Sequence, residues 1–154
     1  MSSVTLYYQY KCYPKPQPIV SLGGRHERPK PVIAVALLTA HDTVTRDCLL
    51  DTGADDTIFP EDVATQLGID LSNAPSGTAS GVGLVASTVR YAKVTFRITD
   101  GHEQCEWEGW VGFTSARLHR PLLGHAGFLQ FFDATFRGEA EIVELTPNSA
   151  YAGT

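Results

Sequence analysis

Residues 48–57 read CLLDTGADDT. The apolar run Cys48-Leu49-Leu50 drives straight into Asp51, the chain breaks at once on Gly53, and two more acids, Asp55 and Asp56, follow. Asp and Gly are favoured in turns for local hydrogen-bonding and backbone reasons, so a bare Asp-Thr-Gly signals a turn. A solvent turn is usually flanked by polar residues, whereas this one lies between Leu49-Leu50 and Ile58-Phe59. A carboxylate held between apolar segments is partly desolvated, which disfavours its charged form. A second carboxylate nearby disfavours it further, because two close like charges cannot both ionise. Asp51 is therefore a candidate acid–base group in need of a partner. The chain offers no second Asp-Thr/Ser-Gly: Asp100-Gly101 lacks the hydroxyl residue, and Asp133-Ala134-Thr135 lacks the glycine. One copy in a short chain points to a symmetric homodimer with Asp51 of each subunit on the two-fold axis.

Working outward, Val32–Leu38 is β-branched and apolar and reads as a strand. Val44–Leu50 reads as a second, and the two form a hairpin across the polar turn Thr39–Thr43. Pro60–Leu67 carries the helix signal. Proline suits the first turn, Glu61 and Asp62 sit at the positive end of the dipole, and Gly68 is a stop. Ser72–Ser80 is loose and polar. From Leu84 the strand pattern returns. Tyr91–Ile98 alternates, Thr99-Asp100-Gly101 is a turn, and Gln104–Phe113 is a strand. On it Trp107 and Trp110, three apart, face opposite sides, one in the core and one toward an interface or pocket. Leu118–Leu123 leads into Gly124, and Ala126–Phe131 reads as a short helix. Phe131–Phe136 and Ile142–Leu145 flank a turn at Arg137-Gly138. Val4–Tyr10 is β-rich, and Lys11–Pro31, with its prolines and glycines, reads as an extended, irregular connector. Many short strands with one or two short helices make an all-β chain, a small closed barrel or a sandwich.

The 154 residues are 43% hydrophobic and 19% charged, which fits one domain able to bury a core. A net charge of −5 gives no reason to expect nucleic acid or a membrane surface as partner. The densest basic stretch, Arg25–Lys30, reads as solvated linker. Three widely spaced cysteines, Cys12, Cys48 and Cys105, make a poor disulfide framework and lack zinc spacing. Reduced thiols and a cytoplasmic location are the simplest expectation, and Cys48 in its apolar run is expected to pack rather than react. The start, MSSVTLYYQYK, lacks the basic region and apolar core of a signal peptide. The five histidines show no metal spacing, and no Gly-x-Ser-x-Gly elbow is present. No metal and no cofactor are expected.

CLLDTGADDT resembles the active-site loop of the retroviral-type aspartic proteases (retropepsins): two apolar residues, then Asp-Thr-Gly-Ala and acidic or polar residues. Ser76–Gly83 is Gly-rich where that family's flap hairpin begins, and Pro121-Leu122-Leu123-Gly124 resembles its second apolar-apolar-Gly element. The likeness covers about Val32 to Leu145. It implies a closed β-barrel of the acid-protease type, homodimeric, with residues 32–146 as the protease domain, 1–31 as an extension and 147–154 as a tail. By resemblance, Asp51 is the catalytic acid, Thr52 braces the two loops across the dimer, and Gly53 admits the substrate backbone. Ala54, Asp55 and Asp56 would hold substrate main chain, and Gly81, Val82 and Gly83 would form the flap tip. Leu123 and Gly124 would pack beneath the loop. His125 replaces the family's frequent arginine, so either a pH-sensitive His125–Asp55 contact or a plain surface histidine is expected.

The implied function is that of an aspartic endopeptidase, a stand-alone cellular or bacterial one, with an acidic to mildly acidic optimum. Its partners would be a second copy and a peptide or protein substrate. Val4–Tyr10 or Ile142–Leu145 would build the dimer floor, and residues 1–31 are a candidate propeptide. The alternatives are a catalytically silent module of the same fold that binds peptides or dimerises a partner, and an acid-lined monomer with an unrelated hydrolytic role.

Overall fold

A computed structural model of the chain describes residues 4–79 and 86–154. Its strands are β1 (Leu6–Gln9), β2 (Lys11–Ile19), β3 (Arg25–Lys30), β4 (Val32–Leu38), β5 (Thr43–Leu50), β6 (Ile58–Pro60), β7 (Ser76–Ala79), β8 (Ser87–Thr99), β9 (Gln104–Thr114), β10 (Leu122–Leu123), β11 (Phe132–Arg137) and β12 (Ile142–Pro147). One α-helix, α1 (Glu61–Gln66), follows β6. Among the described residues no helix is long and apolar enough to cross a membrane.

The main sheet runs β4-β5-β10-β6-β9-β8-β7, and a further β4–β8 pairing closes it into a ring with β7 outside. The fold is mostly β, as the pattern of short strands predicts. Inward alternation builds the core. Along β8 Val94, Phe96 and Ile98 are buried; on β9 Trp107 and Cys105 lie opposite Phe96 and Ile98, and Val111, opposite Ala92, is buried too. Phe96 stacks on its register partner Trp107 with centroids 5.1 Å apart, and Phe128 and Phe132 close the aromatic cluster edge-on. Trp107 is buried and Trp110 half exposed, the opposite-face arrangement that strand geometry requires. The buried Trp107 indole N–H donates to the Gly127 carbonyl at 3.0 Å.

A second sheet, β1-β12-β11, joins the two ends of the chain. Leu6 and Leu145 are register partners on β1 and β12, and both are fully buried.

Three local expectations change. Lys11–Pro31 is not an irregular connector: β2 and β3 form an antiparallel ribbon turning through a 3₁₀ segment, Val20–Leu22, and left-handed Gly23 and Gly24. Part of the loose stretch Ser72–Ser80 is ordered as β7, because its backbone pairs with β8 from Ser76↔Arg90 to Ala79↔Ser87. Ala126–Phe131 is not an α-helix, and only Leu129–Phe131 forms a 3₁₀ turn. Gly127 takes φ +90°, and a Cβ there would strike the Trp110 carbonyl. That close approach interrupts any continuous helix.

Candidate active site

The Asp51 loop joins β5 to β6, and β10 is wedged between these two strands. Leu122 and Leu123 run parallel to Leu49 and Leu50, and Leu122 also faces Ile58 antiparallel. Short strands that leave their termini unpaired would be costly inside a protein. Here the backbone on either side of the turn is engaged. Leu49 N–H donates to Pro121 O (2.9 Å), Leu50 N–H to Pro31 O (3.0 Å), and Asp51 N–H to Leu123 O (3.0 Å). Beyond the turn, His125 N–H donates to Ala54 O (3.0 Å) and Ala126 N–H to Asp55 O (2.9 Å). Buried Thr57 donates twice to Ala126 O, from its N–H (3.1 Å) and its hydroxyl (2.9 Å).

This scaffold presents Asp51 half-buried, with Thr52 and Gly53 exposed. Asp51 Oδ1 accepts the Gly53 N–H at 2.9 Å, and its carbonyl accepts the Ala54 N–H at 3.1 Å, the local pattern of an Asx turn. The second oxygen, Oδ2, has no hydrogen-bond partner among the described residues. The turn chemistry is therefore real, and it orients a carboxylate.

The residues predicted from sequence fall around this loop in different ways. Ala54 has both backbone polar groups committed to the scaffold, so only its side chain is available to a ligand. The N–H groups of Asp55 and Asp56 have no partner among the described residues. Leu123 is buried beside the loop. A Cβ on Gly124 would collide with the carbonyl oxygens of Asp56 and Ala54, so only glycine fits there. His125 is exposed, and its side chain forms neither hydrogen bond nor ion pair with Asp55 within the protomer. Its contact with the loop is through its backbone. Gly81, Val82 and Gly83, the expected flap tip, lie outside the described residues.

Sequence reasoning missed Tyr91. It sits on β8 with its ring close against Gly77 of β7 and Gly112 of β9, where an added Cβ would meet it. Its hydroxyl donates to Asp56 Oδ2 at 2.7 Å. Burial, then the bond to Asp56, pushes that hydroxyl up to about 12, so it stays a donor through neutral pH. Nothing local in the sequence pairs residues 56 and 91.

Cys48 is fully buried, with burial pushing its thiol well above the ordinary range. Among the described residues, no three His, Cys, Asp or Glu side chains gather as a metal site.

Residues 38–106 match a family model described as aspartyl protease. A solved structure, the retropepsin-like aspartic protease from Rickettsia conorii, aligns over 96% of this chain and 96% of that one, with a TM-score of 0.55 and 17% identity. The chain has a retropepsin-like fold. No curated protein matches it. The matched family region holds the Asp51 loop, α1, β7 and β8, while the retropepsin-like fold extends over 96% of the chain.

Proposed function

We propose that two copies of the chain form an aspartic endopeptidase, with Asp51 of each contributing one carboxyl to a shared site. The observation that carries this is the Asp51 turn itself. One carboxylate oxygen is pinned by Gly53 N–H, the other is unpartnered among the described residues, and the loop around them is anchored on both sides of β10.

In this mechanism the pair shares one proton. The ionised carboxylate takes a proton from a water, and the resulting hydroxide adds to the scissile carbonyl carbon. The protonated partner gives its proton to the carbonyl oxygen, leaving a gem-diol. Collapse of the diol breaks the C–N bond as the protonated carboxyl gives its proton to the leaving nitrogen. The ionised one takes a hydroxyl proton of the diol, which leaves the new carboxylic acid and restores the shared proton. Thr52 braces the loops across the two-fold axis. Free N–H groups at Asp55 and Asp56 bind substrate main chain, and the segment holding Gly81, Val82 and Gly83 closes over the peptide to exclude water.

In the terminal sheet β12 has both edges paired, and β1 meets Asp100 through a Tyr7 N–H at 3.0 Å. The outer edge of β11 pairs with no strand among the described residues and is held only at its start, where Phe132 N–H donates to Leu129 O, which makes it the strand available to a second copy.

The test is cleavage of a diverse peptide mixture, read by mass spectrometry across about pH 3 to 7, for wild type and Asp51→Asn. Cleavage lost by about 10³-fold or more, at unchanged dimer mass, supports the peptidase. Equal cleavage by both would overturn the role of Asp51. Silence from both, with peptides retained, would favour the binding module.

A further inference from the structure

The β2–β3 ribbon gathers a charge pattern that proteolysis does not use. Five of the chain's cations are paired: Lys11 with Asp47, Arg25 with Glu141, Lys93 with Glu108, Arg97 with Glu106 and Arg137 with Glu144. Lys15, Arg28, Lys30 and Arg120 form no ion pair among the described residues, yet they lie together. Arg120 sits over the ring of Tyr13, 4.3 Å from its centroid, and Tyr13 is the register partner of Arg28. The ammonium of Lys30 is held below its usual range by burial, then by Arg120, Lys15 and Arg28. The nearby carboxylates are occupied elsewhere, Glu27 and Glu141 by Arg25 and Asp47 by Lys11.

Like charges gathered in this way repel one another, and no carboxylate among the described residues pairs with them to offset it. Alongside them an open groove of about 600 Å³ is lined by Lys15 and Arg28 together with Pro16, Pro18, Ile19 and Val20. The cluster also borders the candidate site. Lys30 and Arg120 each precede a proline, Pro31 and Pro121, whose carbonyls hold Leu50 and Leu49 at the end of β5.

We propose that this face of the ribbon, with Lys15, Arg28, Lys30 and Arg120, is a docking surface for an acidic polypeptide segment of a partner protein. Carboxylates of the segment match the four cations, and its apolar side chains lie on the proline-lined groove. A short acidic peptide need satisfy only these four charges. A nucleic acid would bring a long line of phosphates against an acidic molecule, and its affinity would need a wider basic face. The surface is distinct from the peptidase chemistry and stands on binding alone.

The probe is a fluorescein-labelled Asp/Glu-rich peptide, titrated by anisotropy into the full-length Asp51→Asn chain so that cleavage plays no part. Binding is expected, with little binding of the same peptide written in Asn and Gln. Affinity should fall about tenfold or more in Arg28→Glu/Arg120→Glu and by a smaller factor in Lys15→Gln, with Arg46→Glu unchanged. It should also fall when salt rises from about 0.1 M to about 1 M, where the Debye length shortens from about 10 to about 3 Å. No binding, or equal binding by the charge-reversed chain and the Arg46→Glu control, overturns the proposal. So does tighter binding of an oligonucleotide of equal charge. Self-association that the same reversal abolishes would assign the face to a second copy and overturn it too.

Discussion

Replacing Tyr91 with phenylalanine removes one hydroxyl and leaves Asp56 without its 2.7 Å donor. A hydrogen bond to a charged group is worth about 1.5–3 kcal/mol, and this half-buried pair should fall at the lower end. The Tyr91 hydroxyl is pushed up to about 12, above its unfolded value. Its contribution is therefore complete below about pH 10 and is lost as pH climbs toward about 12. The urea midpoint of Tyr91→Phe should lie below that of wild type by a constant gap to about pH 10, and the gap should close above it. If Asp56 holds substrate, the same variant raises KM severalfold and leaves kcat nearly untouched. Gly124→Ala acts without any charge, because its new methyl meets two backbone carbonyls that cannot rotate away. A loss of about 3 kcal/mol is expected in denaturant melts. Asp51 was legible in the sequence because its chemistry is local: an acid, a glycine and apolar flanks within ten residues. Gly124 was legible only through the resemblance. Tyr91 was not legible, because its partner is set by how β8 crosses the loop and not by any spacing along the chain.

The ribbon of β2 and β3 shows where composition misleads about an element. Three prolines in nine residues signal an irregular connector. Pro14, Pro16 and Pro18 are two apart, however, and strand geometry sends alternate backbone N–H groups to the same edge. Pro14 keeps its register with Glu27, and Pro16 and Pro18 fall within the register shift between Pro14 and Ile19, an irregularity where proline is tolerated. Arg25 fastens this ribbon to the body with two hydrogen bonds to Glu141, at 2.7 and 2.9 Å. The Arg25 hydrogen bond holds the Glu141 carboxyl below the usual carboxylate range. With a depressed folded pKa, the tie is intact above the ordinary carboxylate value and is lost as pH falls through the depressed one. Hydrogen exchange of residues 25–30, corrected for the intrinsic pH dependence of amide exchange, should accelerate on acidification in wild type. In Glu141→Gln it should be fast throughout, with no such step. Helix α1 was legible because Pro60, two acids and Gly68 mark both of its ends. The helix expected at Ala126–Phe131 failed at Gly127, whose left-handed backbone answers to a carbonyl on β9.

For the whole molecule, the proposed sharing of one site between two copies would make activity a matter of mass action. Specific activity per chain should rise with chain concentration and level off where sedimentation shows dimer. Dilution should lower it without unfolding. The all-β class was legible because alternation repeats over most of the chain. The choice of a closed sheet over a sandwich was legible only through the resemblance, since the β4–β8 pairing follows from twist and topology. The wedge of β10 carries a further consequence for biosynthesis. Asp51 emerges from the ribosome early, but the two residues that separate β5 from β6 are Leu122 and Leu123, far down the chain. Loop closure across such a distance comes late and slowly in folding. A nascent chain that already displays Asp-Thr-Gly therefore has no assembled carboxylate site, and it holds none until β10 has been made and slotted home. On the proposed function, a protease built this way would be silent during its own synthesis.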